Sequence, residues 1–289
     1  MFRSFLLCVA FMTMYSSCTT QSTNQSLTKT TEQIMETKSN KAKVVELLES
    51  IETGATAPVA YINPEKYIQH NLAVGDGLAG FGTVLQLLPK GSAKVEVIRA
   101  FEDGDYVFTH TKYDFFGPKA GFDIFRFEDG LIVEHWDNLQ EIATTSVSGR
   151  TQFDGTTDIV DLDKTAKNKA IVKGFVNDVL LGNNPSAIAD YISTEQYLQH
   201  NPAVADGLDG LGKALEELAK AGMPMQYTQN HQVLGEGNFV LSVSEGQFLN
   251  EHVAFYDLFR IEDGKIVEHW DTIENIPAES DWKNENGKF

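Results

Sequence analysis

The chain has 289 residues, and 42% of them are apolar, which is enough for two globular domains of ordinary size. Its formal net charge is −18, whereas an electrostatic grip on nucleic acid or on a membrane surface needs clustered Lys and Arg. Composition therefore argues against a nucleic-acid partner and against a polybasic membrane patch.

The first 18 residues resemble a bacterial lipoprotein signal. Arg3 supplies a positive charge, residues 5–14 form an apolar run too short to span a bilayer, and small residues precede Cys18. This pattern predicts that Cys18 is lipidated and that residues 19–40, which are rich in Ser and Thr, form a flexible tether. The protein is then exported and anchored to a membrane, facing the periplasm or the cell surface. An ordinary secretory signal cut nearby is the alternative.

The two cysteines of the chain, Cys8 and Cys18, both lie in this leader. The mature domains therefore contain no thiol nucleophile, no cysteine metal ligand and no disulfide. The sequence also has no GxGxxG after a strand, no phosphate-binding P-loop, no GxSxG and no kinase signature. We therefore expect neither a nucleotide cofactor nor serine-hydrolase chemistry.

The rest of the chain contains nearly the same sequence twice. Residues 122–137, FDIFRFEDGLIVEHWD, return at 256–271 as YDLFRIEDGKIVEHWD, and the segment YINPEKYIQHN at 61–71 returns as YISTEQYLQHN at 191–201. A repeat this long matches a whole small domain. The predicted organisation is domain 1 (residues 41–147), a linker (148–165), domain 2 (166–280) and a C-terminal tail (281–289).

Each copy begins with helical patterns and ends with strand patterns. Apolar residues recur at helical spacing at the start of each copy, and Gly54 and Gly182 follow as helix stops. A short helix carrying the YxxH sequence is predicted next, then a glycine-rich turn and a further helix near residues 83–88 and 213–221. The segments 95–101, 106–111, 122–127 and 131–139 are rich in β-branched and aromatic residues, and an Asp-Gly pair between the last two predicts a hairpin. The order predicts an α+β fold with helices packed on one face of a curved sheet.

Asp123 and Asp257 are the first candidates for chemistry. Each lies within an apolar strand pattern, although Asp is depleted in strands and is seldom fully buried without a partner. On the apolar side of a sheet, desolvation raises the pKa of a carboxyl group, which is a usual way to make a general base. A structural Asp that is hydrogen-bonded to a loop or to a helix N-terminus is the alternative.

His110 is the second candidate, because it lies on the strand before Asp123 and the two are expected to pair across adjacent strands as a proton shuttle. Val243 occupies the matching place in the second copy, where His252 is a possible substitute. A packed or surface histidine is the alternative.

Four further residue pairs occur in both copies and are expected to line a pocket or the core. Glu134-His135-Trp136-Asp137 alternates along one strand, so only half of it faces inward, and the sequence leaves open which half. No recognised metal-binding spacing is present, so no metal site is predicted. The four pairs are Tyr67 and Tyr197, His70 and His200, His135 and His269, and Trp136 and Trp270.

These motifs resemble the SnoaL-like branch of the nuclear transport factor 2-like (NTF2-like) superfamily over about 105 residues of each copy. The resemblance implies two tandem cone-shaped α+β barrel domains, each with about three helices packed on a curved mixed sheet around a cavity. It also implies chemistry, since polyketide cyclases of that branch catalyse an intramolecular aldol condensation without a metal or an organic cofactor. They use an Asp as acid and base with a nearby His, and Asp123 and His110 resemble that pair. In the second copy, Asp257 matches the acidic residue, but Val243 occupies the position of the His.

Two functions follow as expectations. In the first, the protein is a cofactor-independent enzyme of the aldol-condensation or isomerisation type that uses Asp123 and His110. In the second, it is a non-catalytic binding protein for a small apolar or aromatic ligand. Because members of the superfamily commonly pair as homodimers through their sheets, we also expect the two copies to pack as an intramolecular pseudo-dimer.

Overall fold

The computed structural model describes residues 38–88 and 91–289. The predicted signal, Cys18 and most of the tether lie outside the described residues. In the part of the chain that is described, no helix is both long and apolar enough to cross a membrane. Residues 41–147 and 166–280 are called module 1 and module 2 below.

Module 1 places its helices before its long strands. Helix α1 starts where the Ser39 hydroxyl accepts a hydrogen bond from the Ala42 N–H, and it ends at Gly54, whose φ of 70° is a left-handed conformation that suits glycine. The helical segments are α1 (Asn40–Thr53), a 3₁₀ turn (Ala57–Tyr61) and α2 (Gly77–Leu87). The strands are β1 (Ile68–Gln69), β2 (Lys94–Asp103), β3 (Tyr106–Asp114), β4 (Pro118–Glu128) and β5 (Leu131–Glu141).

Module 2 repeats this order, with a short α-helix at the place of the 3₁₀ turn of module 1. Helix α3 continues into a π-helical turn, Val176–Leu180. The helices are α3 (Thr165–Phe175), α4 (Ile188–Tyr191) and α5 (Gly207–Lys220). The strands are β6 (Leu198–Gln199), β7 (Gln226–Glu236), β8 (Phe239–Phe248), β9 (Glu251–Glu262) and β10 (Lys265–Asn275).

Both sheets have the same mixed topology. The strand orders are β1-β5-β4-β3-β2 and β6-β10-β9-β8-β7, in which the short first strand is parallel to the last and the other pairs are antiparallel. The predicted hairpins are confirmed, and their turns contain Asp-Gly pairs with positive φ at both residues, 49° and 76° at Asp129 and Gly130. The predicted fold of two tandem α+β domains with helices on a mixed sheet is therefore confirmed. The predicted helix carrying Tyr67 and His70 is wrong, because the residues between them form β1 beside β5.

The two sheets share one hydrophobic core within the unit Ser39–Phe289. Phe101 of module 1 lies 5.0 Å from Phe239 of module 2, measured between ring centroids. Buried side chains of both modules form a single cluster here, among them Phe108, Phe122 and Ile124 of module 1 and Leu241, Val243, Tyr256, Leu258 and Trp270 of module 2. The sheets therefore pack against each other through the faces that point away from their helices.

Polar contacts between the modules are reciprocal. The Leu139 N–H donates to Glu274, and the Ile273 N–H donates to Gln140, so matching strands β5 and β10 exchange equivalent hydrogen bonds. At the other edge, Lys41 of α1 pairs with Glu236 of module 2. The Lys169 ammonium of α3 pairs in turn with Asp103 of module 1.

The segments that follow the two sheets are exchanged in the same way. The linker arm, residues 147–156, lies on module 2, where the Thr151 carbonyl oxygen is 2.8 Å from His200 Nδ1. The C-terminal arm, residues 283–289, lies on module 1, where the Gly287 carbonyl oxygen is 2.9 Å from His70 Nδ1. Matching hydrogen bonds run from the Val147 N–H to the Pro202 carbonyl and from the Lys283 N–H to the Leu72 carbonyl. Each module is thus covered by the arm of the other.

Candidate functional site

Each module holds a buried cluster of two carboxylates and one imidazole. The clusters are Asp123, His135 and Asp137 in module 1, and Asp257, His269 and Asp271 in module 2, and within each the ligand-type atoms lie within 4.8 Å of one another. The register places Asp123 directly opposite Asp137, and Asp257 directly opposite Asp271. Two like charges in that position repel each other, so surrounding donors must compensate them.

In module 2, hydrogen bonds fix the histidine between an amide and a carboxylate. His269 Nδ1 lies 2.9 Å from Gln199 Oε1, and His269 Nε2 lies 3.0 Å from Asp257 Oδ1. Both partners are oxygens that accept, so both ring nitrogens of His269 donate, which is the hydrogen-bonding state of an imidazolium. The Tyr227 hydroxyl also donates to Asp257, at 3.2 Å from each carboxylate oxygen.

Asp271 differs from Asp257 because one of its oxygens has no partner among the described residues. Asn201 Nδ2 donates to Asp271 Oδ2 at 2.6 Å, whereas Oδ1 is buried and makes no hydrogen bond. The Asp271 side chain lines the cavity of module 2. A buried acceptor without a partner is destabilising by about 1–3 kcal/mol, and Asp137 Oδ1 of module 1 is in the same state.

Electrostatics shift three pKa values at this cluster. Burial raises the pKa of Asp271, and the charge of Asp257 adds to that effect. Burial lowers the pKa of His269, but the hydrogen bond to Asp257 and the charges of Asp271 and Asp257 outweigh it, so the pKa of His269 is raised above 6.5. Burial and the two carboxylates hold the pKa of Tyr227 well above its ordinary value, so this phenol remains a hydrogen-bond donor.

The cavity of module 2 is much larger than that of module 1. Its volume is about 400 Å³, against about 100 Å³ in module 1. Helix α5 carries Leu211, Leu215 and Leu218 on one side and turns them toward this space. The polar side chains of the floor are Gln199, Asn201, Tyr227, Asp257, His269 and Asp271, and the walls are otherwise apolar apart from Glu217 and the hydroxyl group of Tyr197.

The predicted pairing of His110 with Asp123 is wrong. Across β3 and β4, His110 lies opposite Phe122 and Thr109 lies opposite Asp123, so His110 points to the other face of the sheet. It stacks on Phe122 with ring centroids 4.5 Å apart and contacts Arg99. Asp123 instead accepts from the Tyr113 hydroxyl at 2.6 Å, and His135 Nε2 lies 3.3 Å from it.

The matching predictions for module 2 are corrected in the same way. Val243 lies opposite Tyr256 on the core face of the sheet, so it does not line the cavity of Asp257. His252 does not substitute for the missing histidine. Its Nε2 lies 2.8 Å from Glu245 Oε1, and its side chain is half exposed.

The EHWD strand turns His135 and Asp137 toward the cavity and Glu134 and Trp136 away from it. His70, His200, Trp136 and Trp270 were expected to line a pocket or the core; all four lie outside both cavities, and Trp270 belongs to the hydrophobic core. His70 stacks on Trp136 at 4.7 Å and contacts Glu134, and His200 stacks on Trp270 at 4.6 Å and contacts Glu268. Tyr67, His135, Tyr197 and His269 do line the cavities.

Sequence reasoning missed several residues of the clusters. Asp137 and Asp271 share a strand face with the histidine two positions before them, a signal that strand alternation contains. Gln69 and Gln199 precede the repeated His and bind the cavity histidines through Oε1. Tyr113 donates to Asp123 from the neighbouring strand β3, Tyr227 donates to Asp257 from β7, two strands away, and no motif marks either tyrosine.

Each cluster offers two carboxylates and one imidazole, which are ligand types that zinc or iron accepts. In both modules the histidine Nε2 already faces a carboxylate oxygen, at 3.3 Å in module 1 and 3.0 Å in module 2. A metal ion would therefore need to displace the proton from Nε2 before it could bind there.

No protein-family model matches the chain, and no curated protein matches it either. Similar solved structures each correspond to about one module. An NTF2-like protein of unknown function from Mesorhizobium loti is 20% identical, and the match covers 39% of this chain and 95% of that one with a TM-score of 0.33. A putative polyketide cyclase from Acidithiobacillus ferrooxidans is 13% identical, with coverages of 37% and 88% and a TM-score of 0.30. A putative ketosteroid isomerase from Kribbella flavida is 11% identical, with coverages of 40% and 83% and a TM-score of 0.33.

At these identities the names describe those proteins and not the activity of this chain.

Proposed function

We propose that the cavity of module 2 binds a small, mainly apolar molecule. A volume of about 400 Å³ lies within the range of ligand pockets in proteins, roughly 300–1,000 Å³. Its apolar walls supply affinity by removing ligand surface from water, and the few polar groups of the floor supply orientation. The observation that carries the proposal is the cavity itself, whose largely apolar walls enclose a small set of polar side chains at the floor.

A cavity-filling substitution tests this proposal. Ala214 on α5 lines the cavity, whereas Ala219 on the same helix does not line it and is exposed. A fluorescent hydrophobic dye that apolar ligands displace reports on the cavity. Ala214→Phe is expected to abolish binding of this dye, and Ala219→Phe is expected to leave dye binding unchanged. Equal dye binding by both variants would place the ligand site elsewhere.

Proton transfer is the second candidate function, and Asp271 is the group that favours it. Its pKa is raised by burial, and its side chain lines the cavity, so its carboxylate is placed to remove a proton next to a carbonyl and to return it at another position. His269 and Asp257 support this carboxylate as a fixed ion pair. This assignment moves the acid/base role from the predicted Asp123 and His110 to module 2.

Deuterium exchange tests the second candidate without a known substrate. The protein is expected to speed the exchange of the protons beside the carbonyl of 2-indanone in D₂O. NMR measures the rate of this exchange. Asp271→Asn is expected to remove this acceleration, and Asp137→Asn, its counterpart in module 1, is expected to retain it. Acceleration that survives Asp271→Asn would contradict the role of this carboxylate.

We further propose that the two modules act as an intramolecular pseudo-dimer with the predicted domain boundaries. The reciprocal hydrogen bonds of β5 and β10 and the paired contacts of Lys41 and Lys169 support it, since equivalent surfaces meet as in an isologous interface. A chain that starts at Ser39 is expected to sediment as a single-chain species at micromolar concentration. Sedimentation as a stable two-chain species would contradict the idea that one chain completes the pair.

Export and membrane anchoring through Cys18 complete the proposal and rest on the sequence pattern alone. Cys18→Ala is expected to release the protein from the membrane fraction into the soluble exported fraction, because acyl chains supply most of the membrane affinity. Unchanged fractionation of that variant would count against lipidation.

A further inference from the structure

The apolar lining of the module 2 cavity continues onto the surface of the protein. Leu215 of α5 lines the cavity and is nevertheless 40% exposed. Leu249, in the turn between β8 and β9, directly follows the lining residue Phe248 and is 45% exposed. A single exposed leucine needs no explanation, but exposed apolar side chains beside an apolar cavity are typical of a site that contacts a membrane or another apolar partner. Leu215 and Leu249 are called the rim below.

The backbone at Leu249 is in a conformation that leucine rarely adopts. Leu249 and Asn250 form a two-residue turn with φ of 52° and 66°. In the β4–β5 and β9–β10 turns, where two residues in a row also have positive φ, the chain uses Asp-Gly pairs, which suit this geometry. A bulky side chain in this conformation has a steric cost, so the turn itself does not favour leucine. The strained position points to a role for the exposed side chain.

Module 1 places an apolar side chain in the same way. Phe116, between β3 and β4, has a φ of 53° and is 63% exposed. It directly follows Phe115, which lines the cavity of module 1, and the centroids of the two rings are 6.1 Å apart. The hairpin beside each cavity therefore carries one strained and exposed apolar residue.

We propose that the rim of module 2 docks on a lipid bilayer and that the cavity takes its apolar ligand from the hydrocarbon of that bilayer. This inference rests on the proposed ligand-binding function and adds the source of the ligand. The length of the chain before the helices agrees with it, because residues 19–38 span at most about 70 Å between Cys18 and α1. That reach is about twice the roughly 33 Å length of a strand of 10 residues such as β8, so an anchor at Cys18 leaves the rim free to meet the bilayer.

Apolar contact drives this docking, and charge opposes it on an anionic surface. The net charge of −18 repels anionic lipid, so a zwitterionic bilayer is the better partner. The two rim side chains bury too little surface for stable binding alone, and the anchor supplies the rest, as in proteins that need two membrane signals. The rim thus sets the orientation of an anchored protein on the bilayer.

Quenching by brominated lipid tests the contact on an anchored protein. A histidine tag in place of residues 1–18 holds the chain on phosphatidylcholine vesicles that contain a nickel-chelating lipid, so the result does not depend on lipidation. Leu249→Trp adds a tryptophan at the rim. Leu162→Trp adds one at a leucine that is 62% exposed at the opposite end of β8, where the Thr165 hydroxyl donates to the Leu162 carbonyl and accepts from the Gly237 N–H.

Bromine on the lipid acyl chains is expected to remove most of the fluorescence that Leu249→Trp adds and to leave that of Leu162→Trp unchanged. Leu249→Asp is expected to slow transfer of the hydrophobic dye from the vesicles to the protein about 10-fold, since it removes one leucine from the apolar contact. Its affinity for the dye in solution should stay the same, because Leu249 does not line the cavity. Leu162→Asp is the matched control and should change neither.

Equal quenching at the two positions, or no quenching of Leu249→Trp, would overturn the proposal, and dye binding in solution that Ala214→Phe blocks would then leave the ligand-binding function standing. Emission of Leu249→Trp that shifts with protein concentration in the absence of vesicles would assign the rim to a contact between copies of the chain and would also overturn the proposal. Quenching of Leu249→Trp with no dye bound in solution would keep the bilayer contact and overturn both the ligand-binding function and the transfer of ligand from the bilayer.

Discussion

Arg99 and His110 face each other across β2 and β3, with Arg99 Nη1 3.2 Å from His110 Nδ1. Because a guanidinium only donates, His110 Nδ1 accepts and the ring is neutral. Burial and the charge of Arg99 lower the pKa of His110 well below its ordinary value. Arg99 also donates to the carbonyls of Phe153, Asp154 and Thr156 in the linker arm, so His110 belongs to the contact between the modules.

His110→Val therefore tests a structural role against a catalytic one. The variant introduces the residue that module 2 has at the matching position, Val243, and leaves one Arg99 donor without a partner. We expect the free energy of unfolding to fall by about 1–3 kcal/mol in urea denaturation, with dye displacement unchanged. Lost ligand binding at unchanged stability would restore a site role for His110.

The dependence of stability on pH should differ in sign between His110 and His269. The pKa of His269 is higher in the folded protein than in the unfolded chain, so its contribution is fully present below about pH 6.5 and is lost as the pH rises through the folded value. The difference in unfolding free energy between the parent and His269→Gln should therefore shrink as the pH rises above about 6.5.

For His110 the folded pKa is the lower one, so the unfolded chain binds the proton first and stability is lost as the pH falls below about 6.5. His110→Gln should accordingly flatten the acid side of the stability profile. The same slope in both variants would contradict the opposite environments of the two rings.

The shared core predicts that the modules unfold together. Phe239 is fully buried against Phe101 of module 1, so Phe239→Ala should lower the free energy of unfolding by about 3–5 kcal/mol and shift one common transition. Fluorescence and circular dichroism should report the same midpoint. Leu249→Ala, at an exposed position, is the control and should change little. Two separate transitions in the parent protein would refute a common core.

Lys288→Met tests the cation in the C-terminal arm. It leaves Asp137 and Glu274 without their common ammonium, and loss of one partner from a buried ion pair costs about 3–5 kcal/mol. The loss should be measurable by urea denaturation near neutral pH and smaller in acid, where the carboxylates take up protons. Lys283→Met, on an exposed side chain of the same arm, should have little effect. Equal effects of the two variants would show that the Lys288 charge is not buried in a pair.

Sequence patterns were sufficient for the fold because each rests on local chemistry. The Asp-Gly turns after Glu128 and Glu262, the glycine that ends α1 and the repeated strands all appear as predicted. Prediction of which side chains meet at the site required the strand register, and the sequence does not define the register to within one residue. Since a shift of one residue moves a side chain to the other face, His110 and Asp123 could seem to be neighbours although their side chains point to opposite faces of the sheet.

The volumes of the two cavities and the contacts of the two arms could not be predicted from the sequence. Residues far apart in sequence set both, as when Lys288 reaches Asp137 across 151 positions of the chain. Motifs and hydrophobic periodicity are local patterns, so they do not predict a contact between residues this far apart in the chain.

The joining of both modules in one chain has a consequence for how this protein can change. Two identical chains that meet about a twofold axis must alter both cavities with every mutation, and both must remain acceptable at once. Here different residues of one chain line each cavity, so a substitution in one cavity leaves the lining of the other unchanged. Module 1 can therefore keep its small pocket while substitutions change the larger cavity of module 2.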